Sequence, residues 1–426
     1  MKKTSYLFAA MLLAALGSGF YPVTVNAVQA QEAAEPAKQT VRAEMGKPLN
    51  EIQELLNAKQ FPQALEKINA LDALDKKTPY EMFAIHRLRA VVASGTNDSA
   101  LLASSFDNMI NTEFLKEPEK LRLMEAMAGT WFNEKKYPLA REWASRYLAK
   151  DPANQGMNNL LARAYYLEND YANTIKVLNA QLAEDDKAKR TPTLENLKLL
   201  GGSYQQIKDK NGYATVLERL IELYPQKEYW ADILYTIENR PGFSDRLRLD
   251  MYRLLLATNN LEEGPQFVEM TELALLAGLP AEAKTTVDAG YAANLLGTGK
   301  DASKHKQLRD KVNKQAADDI KTLDAGEASA KSAKTGVGLL NIGYNYVING
   351  QHEKGLALME QGLAKGGLKS VDEAKLHLGM AYLQAGNRDK AKEILKSIQS
   401  KDGAADLARL WLLVPPAGSK AAPAAK

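Results

Sequence analysis

The sequence predicts an all-α fold, an α-solenoid of stacked helical hairpins, and three observations carry that reading. The segments Leu121 to Pro152 and Gln155 to Leu182 place the same residue types at the same offsets. Met127, Ala128, Trp131 and Ala140 mark the first, and Leu161, Ala162, Tyr165, Tyr171 and Leu178 mark the second. The step between them is about 34 residues, the period of a helix-turn-helix repeat. Hydrophobic residues make up 45% of the chain, enough for a continuous core once neighbouring units stack, because one amphipathic hairpin cannot bury its own apolar faces.

The chain has 426 residues and no cysteine. Disulfides, thiolate metal sites, a cysteine nucleophile and a lipoprotein anchor are thereby excluded. Residues 1–27 read as a secretory signal peptide: Lys2-Lys3 precede the apolar run Tyr6 to Leu16, and Val25-Asn26-Ala27 and Val28-Gln29-Ala30 both fit a cleavage site, so removal after Ala27 or Ala30 is expected. That run is too short to span a bilayer, and no later stretch is long and apolar enough to do so. The expected location is the periplasm of a Gram-negative bacterium. The formal charge of +3 includes Lys2 and Lys3, so the mature chain sits near neutrality with both signs interspersed and without the basic block that nucleic acid requires.

Residues 28–46, poor in large apolar side chains, form a flexible leader in this reading. An N-terminal array then runs over 47–297. Its first helical pattern starts after Pro48, with Ile52, Leu55 and Leu56 before the turn at Phe61-Pro62 and Ala64, Leu65 and Ile68 after it. Tyr80 to Val92 and Ala100 to Ile110 make a divergent pair before the two clear units. Leu197, Leu200, Gly201, Tyr204, Leu217 and Leu220 keep the same phase, but Tyr213 replaces the expected small residue, which should splay that hairpin. Trp230 to Ile237 continue the pattern until Arg240-Pro241-Gly242 stops it, and a helix follows from Ser244 to Ala257. Phe267, Met270, Ala274, Ala283 and Val287 restore the spacing.

Over 298–335 the repeat lapses. Leu308, Val312, Ala316, Ile320 and Leu323 still recur at three and four residues, predicting one long charged connector helix. Two good units and a capping helix at Leu407 to Leu412 fill 336–412. The tail 413–426, rich in Pro and Ala, reads as disordered. Small residues at Ala128, Ala162, Gly201, Gly343 and Gly379 mark where helix axes come close, and an aromatic three residues later fills the adjoining gap.

These residues resemble the tetratricopeptide repeat family, most closely over Leu121 to Leu182 and also in Leu194 to Pro225, Phe267 to Gly290, Ile342 to Gly362 and Leu376 to Ile398. The resemblance covers most of the mature chain. The segments Lys227 to Asp232, Pro241 to Leu247 and Asp406 to Trp411 are further similar to exported Gram-negative proteins of this family assigned to the TonB energy-transduction system. The family resemblance implies a non-catalytic scaffold in which the first helix of each unit lines a groove for a protein or peptide partner, here one of a cell-envelope complex. Carried onto this chain, the groove positions are Arg122, Glu125 and Phe132, then Asn159, Arg163 and Tyr166, then Lys198, Gly202 and Gln205. Arg163 and Lys198 would hold an acidic group, with Phe132 and Tyr166 in apolar contact. Glu125 and Gly129 stand where the clamp for chaperone C-terminal carboxylates needs Lys and Asn, so that specialised use is not implied.

No catalytic constellation competes well with this reading. His86, His305, His352 and His377 are scattered and show no ligand spacing, so no metal site is expected; His377 reads as lying beside a packing face and His352 as lying in a turn. Gly297-Thr298-Gly299-Lys300 lacks the first glycine and the hydroxyl of a phosphate-binding loop and reads as a helix terminator, and Gly336-Val337-Gly338 lacks a third glycine. Asp185-Asp186 and Glu262-Glu263 read as hydrated charge in polar turns. No enzyme activity and no cofactor are expected; the competing expectation is an envelope hydrolase or cell-wall enzyme carried on a helical scaffold.

Overall fold

A computed structural model of the chain describes residues 40–416. The signal peptide, most of the leader and the tail from residue 417 lie outside the described residues. The described chain is all-helical and divides into two compact units, 40–192 and 193–416.

The first unit holds α1 (Ala43–Asn57), α2 (Phe61–Asp72), α3 (Pro79–Thr96), α4 (Ser99–Ile110), α5 (Glu117–Asn133), α6 (Tyr137–Leu148), α7 (Gln155–Leu167) and α8 (Tyr171–Lys187). The second holds α9 (Leu194–Gln206), α10 (Lys210–Leu223), α11 (Lys227–Glu238), α12 (Arg248–Ala257), α13 (Gly264–Leu276), α14 (Pro280–Ala292), α15 (Ala302–Ser332), α16 (Val337–Ile348), α17 (His352–Lys365), α18 (Val371–Gln384), α19 (Arg388–Lys396) and α20 (Ala404–Leu413). Short 3-10 turns at Asp245–Leu247 and Gly299–Asp301 lead into α12 and α15. In both units the helices pack as adjacent pairs.

One backbone device recurs in register along both units. The amides of Lys136, Asp170, Asp209, Gln351 and Asn387 donate to the carbonyls of Trp131, Tyr165, Tyr204, Tyr346 and Tyr382, each at 2.9 Å. The intervening Lys135, Asn169, Lys208, Gly350 and Gly386 all have positive φ. This closure satisfies an orphan carbonyl at the end of the first helix. In several copies the residue that donates then starts the second helix: the side chains of Asp170, Asp209 and Asn387 accept from backbone amides of the following turn. The aromatic position thus occupies the same backbone environment in these five copies.

The small residues also serve as expected. Ala128, Ala162, Ala140 and Ala144 are fully buried. The closest approach is α16 on α17, where a Cβ at Gly343 would lie 2.6 Å from the Gly355 carbonyl oxygen and one at Gly362 would lie 2.8 Å from the Gly336 carbonyl oxygen. Only glycine permits two backbones that near. In α9–α10 the small residue is displaced by one position. Gly212 lies under the Tyr204 ring, while Tyr213 lies beside Gly201 and donates its hydroxyl to Asp232 at 3.0 Å. Burial, with Asp232 alongside, pushes that phenol up to about 12.

Several local readings change. α1 begins at Ala43, ahead of Pro48, which sits inside the helix. Met45 is fully buried, and Arg42 donates its backbone amide and its guanidinium to Glu81 (2.8 and 3.0 Å). Those contacts fix the first turn despite the proline. Glu81 itself completes a capping box with Thr78 at the start of α3. Burial alone would raise its carboxyl, but Arg42 and the Thr78 amide outweigh it and hold the pKa low. In the connector helix α15, Val312, Ala316 and Leu323 are buried as expected, yet Ile320 is 57% exposed. Asp185 is not hydrated charge: it is buried in α8, accepting from Gln155 (2.8 Å) and Arg190 (3.0 Å). His352 opens α17 rather than lying in a turn. His305, by contrast, accepts from the Gly297 amide at 3.1 Å, which helps close the loop after α14.

Candidate partner-binding face

The sequence-derived groove residues lie in both units: Arg122, Phe132, Asn159, Arg163 and Tyr166 in the first, Lys198 and Gln205 in the second. In the first unit, α5 and α7 are the first helices of consecutive hairpins. Their buried rows, Leu123, Met124, Met127 and Ala128 on α5 and Met157, Leu161 and Ala162 on α7, face the core. Helical periodicity therefore turns Arg122, Glu125 and Arg163 outward, and all three are exposed. Phe132, Asn159 and Tyr166 are half-buried.

The structure brings two of these residues together across the repeat boundary. The Arg163 guanidinium stands 5.2 Å from the centroid of the Phe132 ring, within reach of the ring's negative face. Phe132 in turn meets Tyr137 edge-on at 5.6 Å, and one repeat later Tyr166 meets Tyr171 edge-on at 5.4 Å. Edge-to-face pairs hold aromatic rings at fixed angles, so each groove aromatic is oriented by the first residue of the helix that follows it. Sequence reading assigned Phe132 and Tyr166 to the groove, did not single out Tyr137 and took Tyr171 only as a repeat position, although the recurrence of an aromatic five residues on was there to be seen. Behind this row, Arg141 of α6 joins α7 through Glu168 (3.0 Å) and the Tyr165 ring (5.0 Å).

In the second unit Lys198 and Gln205 are exposed on α9, but later repeats differ. Of the positions of α16 and α18 that correspond to the groove row, Leu340, Tyr344, Val347, Leu376 and Met380 are buried, while Val337 at the start of α16 is exposed. Packed with them is a charged cluster that the sequence did not reveal. Arg253 of α12 donates to both carboxylate oxygens of Glu282 on α14 (2.6 Å each) and to Asp250 (2.6 Å). Its guanidinium lies 5.1 Å from the Tyr344 ring on α16, and Asp250 also meets His377 of α18 at 3.0 Å. Burial works against the Asp250 charge, but His377 and Arg253 outweigh it and hold the carboxyl at about 2. Burial likewise opposes the Arg253 charge, yet Glu282, Tyr344 and Asp250 keep it firmly protonated. Four elements of the second unit thus converge on one buried ion-paired knot, and this stretch of inner row is filled by the chain's own side chains.

Among the described residues, no group of three or more His, Cys, Asp or Glu side chains gathers where an ion could be held. No described helix is long and apolar enough to cross a membrane.

The tetratricopeptide repeat model matches residues 199–227 and 373–403, which fall on α9–α10 and α18–α19. No curated protein matches the chain. Among solved structures, the chain is similar to Naa15/Naa10 bound to HypK-THB (11% identity, 84% of this chain and 69% of that one, TM-score 0.29). It is also similar to a crystallised TPR domain (13%, 87% and 96%, TM-score 0.20) and to yeast Tom70 (12%, 86% and 94%, TM-score 0.19). Two hairpins therefore match the tetratricopeptide repeat itself, and the shared turn closure extends their pattern into both units.

Proposed function

We propose that this protein is a non-catalytic scaffold whose exposed first-helix row binds a segment of a protein partner in the bacterial cell envelope. The observation that carries the proposal is the pairing of Arg163 with Phe132 across α5 and α7; Arg122 is exposed on the same row. Such a face offers an acidic peptide group a guanidinium and an adjacent ring on a rigid support, so that little ordering cost falls on the protein when it binds. The match of two hairpins to a repeat that serves protein recognition supports the same reading. We also propose export to the periplasm, from Lys2-Lys3 and the apolar run after them, and a link to TonB-dependent transport, from the resemblance of residues 227–232, 241–247 and 406–411; on that reading the partner belongs to an envelope complex.

The test is capture from periplasmic extract with the wild-type protein and with an Arg163→Glu, Lys198→Glu double variant, identical circular dichroism being required of both. Loss of a specific partner from the variant is expected. Recovery of the same partners in the same amounts would refute the groove assignment.

A further inference from the structure

Loops from four parts of the second unit are joined at one end of it. The Gly336 amide, between α15 and α16, donates to the Gly366 carbonyl beyond α17 at 2.8 Å, and the Ser244 amide donates to the Asp402 carbonyl at 2.8 Å. The amides of Gln399 and Ser400, in the loop after α19, donate to Asp372 in the first turn of α18 at 3.2 and 2.9 Å. Ile398 in the same loop is buried, so these loops are held in place and not merely adjacent in sequence.

The end they form carries more positive charge than it neutralises. Lys334, Lys365, Lys369, Lys396 and Lys401 are all exposed. Lys365 gives its ammonium to the Lys331 carbonyl at 2.8 Å, and the other four make no ion pair. The acids beside them are already engaged: Asp372 by the two loop amides, Glu373 and Asp402 by Arg246 (3.9 and 3.4 Å), and Glu327 by Lys331 and Lys354 (2.6 and 2.9 Å). Among the described residues of this end, Asp245 is the one acid without a partner. Two valines stand out among the lysines, in the same arrangement one repeat apart. Val337 opens α16 just after Lys334 and is 42% exposed, and Val371 opens α18 just after Lys369 and is 51% exposed.

We propose that this end of the second unit binds the surface of an anionic lipid bilayer. Lysines without counter-ions are attracted to a negatively charged leaflet, and valines at the tips of the same loops can enter the boundary between headgroups and acyl chains. The charges sit on separate hairpins, whose helices stand about 8–10 Å apart, and each is a hydrated ammonium and not the planar fork that reads a single carboxylate. A sheet of headgroups meets such scattered point charges in any register, whereas a peptide would have to match their spacing. Arg163 on α7 and Lys198 on α9, which belong to the partner-binding row, lie on other helices.

Vesicle flotation tests the proposal, with residues 1–30 left out because their own lysines and apolar run would bind lipid. The protein should float with vesicles of phosphatidylcholine mixed with phosphatidylglycerol and not with phosphatidylcholine alone, and added salt should release it. A Lys334→Glu, Lys369→Glu variant should bind about tenfold more weakly. The Arg163→Glu, Lys198→Glu variant changes the net charge by the same amount and should bind as the wild type does, so loss of the partner and loss of the vesicles are separate results; both variants must match the wild type in circular dichroism. No preference for the anionic vesicles, no loss in the lysine variant, or equal loss in both variants would overturn the proposal. Retention of polyglutamate in place of vesicles would overturn it too, assigning the end to an acidic protein segment.

Discussion

At Gly343 the whole tolerance of a hairpin is set by one missing methyl group. A Cβ there meets the Gly355 carbonyl oxygen at 2.6 Å and the Met359 Cγ at 2.7 Å, so Gly343→Ala should destabilise the fold by about 1–3 kcal/mol, the usual cost of overpacking. A denaturant titration checks it. The opposite change is available at Lys135, which holds φ +61° in the recurrent turn. Glycine takes that conformation without steric cost, and Lys135→Gly should stabilise by about 0.5–1 kcal/mol after its own entropy loss, read as a rise in melting temperature. At Arg253 the expectation is larger. Arg253→Met leaves Asp250 and Glu282 buried without their shared cation and should cost about 3–5 kcal/mol, whereas His377→Gln, which keeps a donor beside Asp250, should cost far less. The Asp250 carboxyl is held at about 2, below the usual value of about 3.9. Its contribution to stability is therefore complete above about pH 4 and lost as pH falls through about 2. The slope of unfolding free energy against pH over that window should flatten in Asp250→Asn.

At the scale of elements, the hairpins were legible because their signals are local. The small residue, the aromatic three positions later and the left-handed residue four beyond that sit within about two turns, as in Gly343, Tyr346 and Gly350. The connector α15 was legible as a helix but not in its facing. From Ala316 to Leu323 a helix can step through residue 319 or residue 320, and three-four spacing allows both. The structure turns half-buried Asp319 inward and leaves Ile320 out, since α15 packs on both α14 and α16 and its facing follows two different partners. The pairing of Arg163 with Phe132 was half legible: the repeat phase put both on one row, but their contact depends on the spacing between stacked hairpins. The knot around Arg253 was not legible, because Asp250 and His377 are 127 positions apart. Its one local trace is the charged pair Asp250 and Arg253 embedded among Leu249, Met251, Tyr252 and Leu254.

At the scale of the whole molecule, each unit contains its own core. The buried residues of the first unit form two clusters, Met45 to Val92 and Phe83 to Leu161, joined through Val91. Stacked repeats derive their stability from nearest neighbours, so residues 40–192 produced alone should be helical and unfold cooperatively, as followed by circular dichroism. In the proposed function, the first-helix row of that unit, and not the second-helix row, receives a polypeptide. Site-specific photo-crosslinking in the full-length protein tests it most directly, with the reactive group at Arg122 or Asn159 on the first helices and at exposed Glu142 or Lys176 on the second. Adducts to one discrete polypeptide are expected from Arg122 and Asn159 and none from Glu142 and Lys176; equal adducts from both rows, or adducts from the second helices alone, would overturn the proposed binding face.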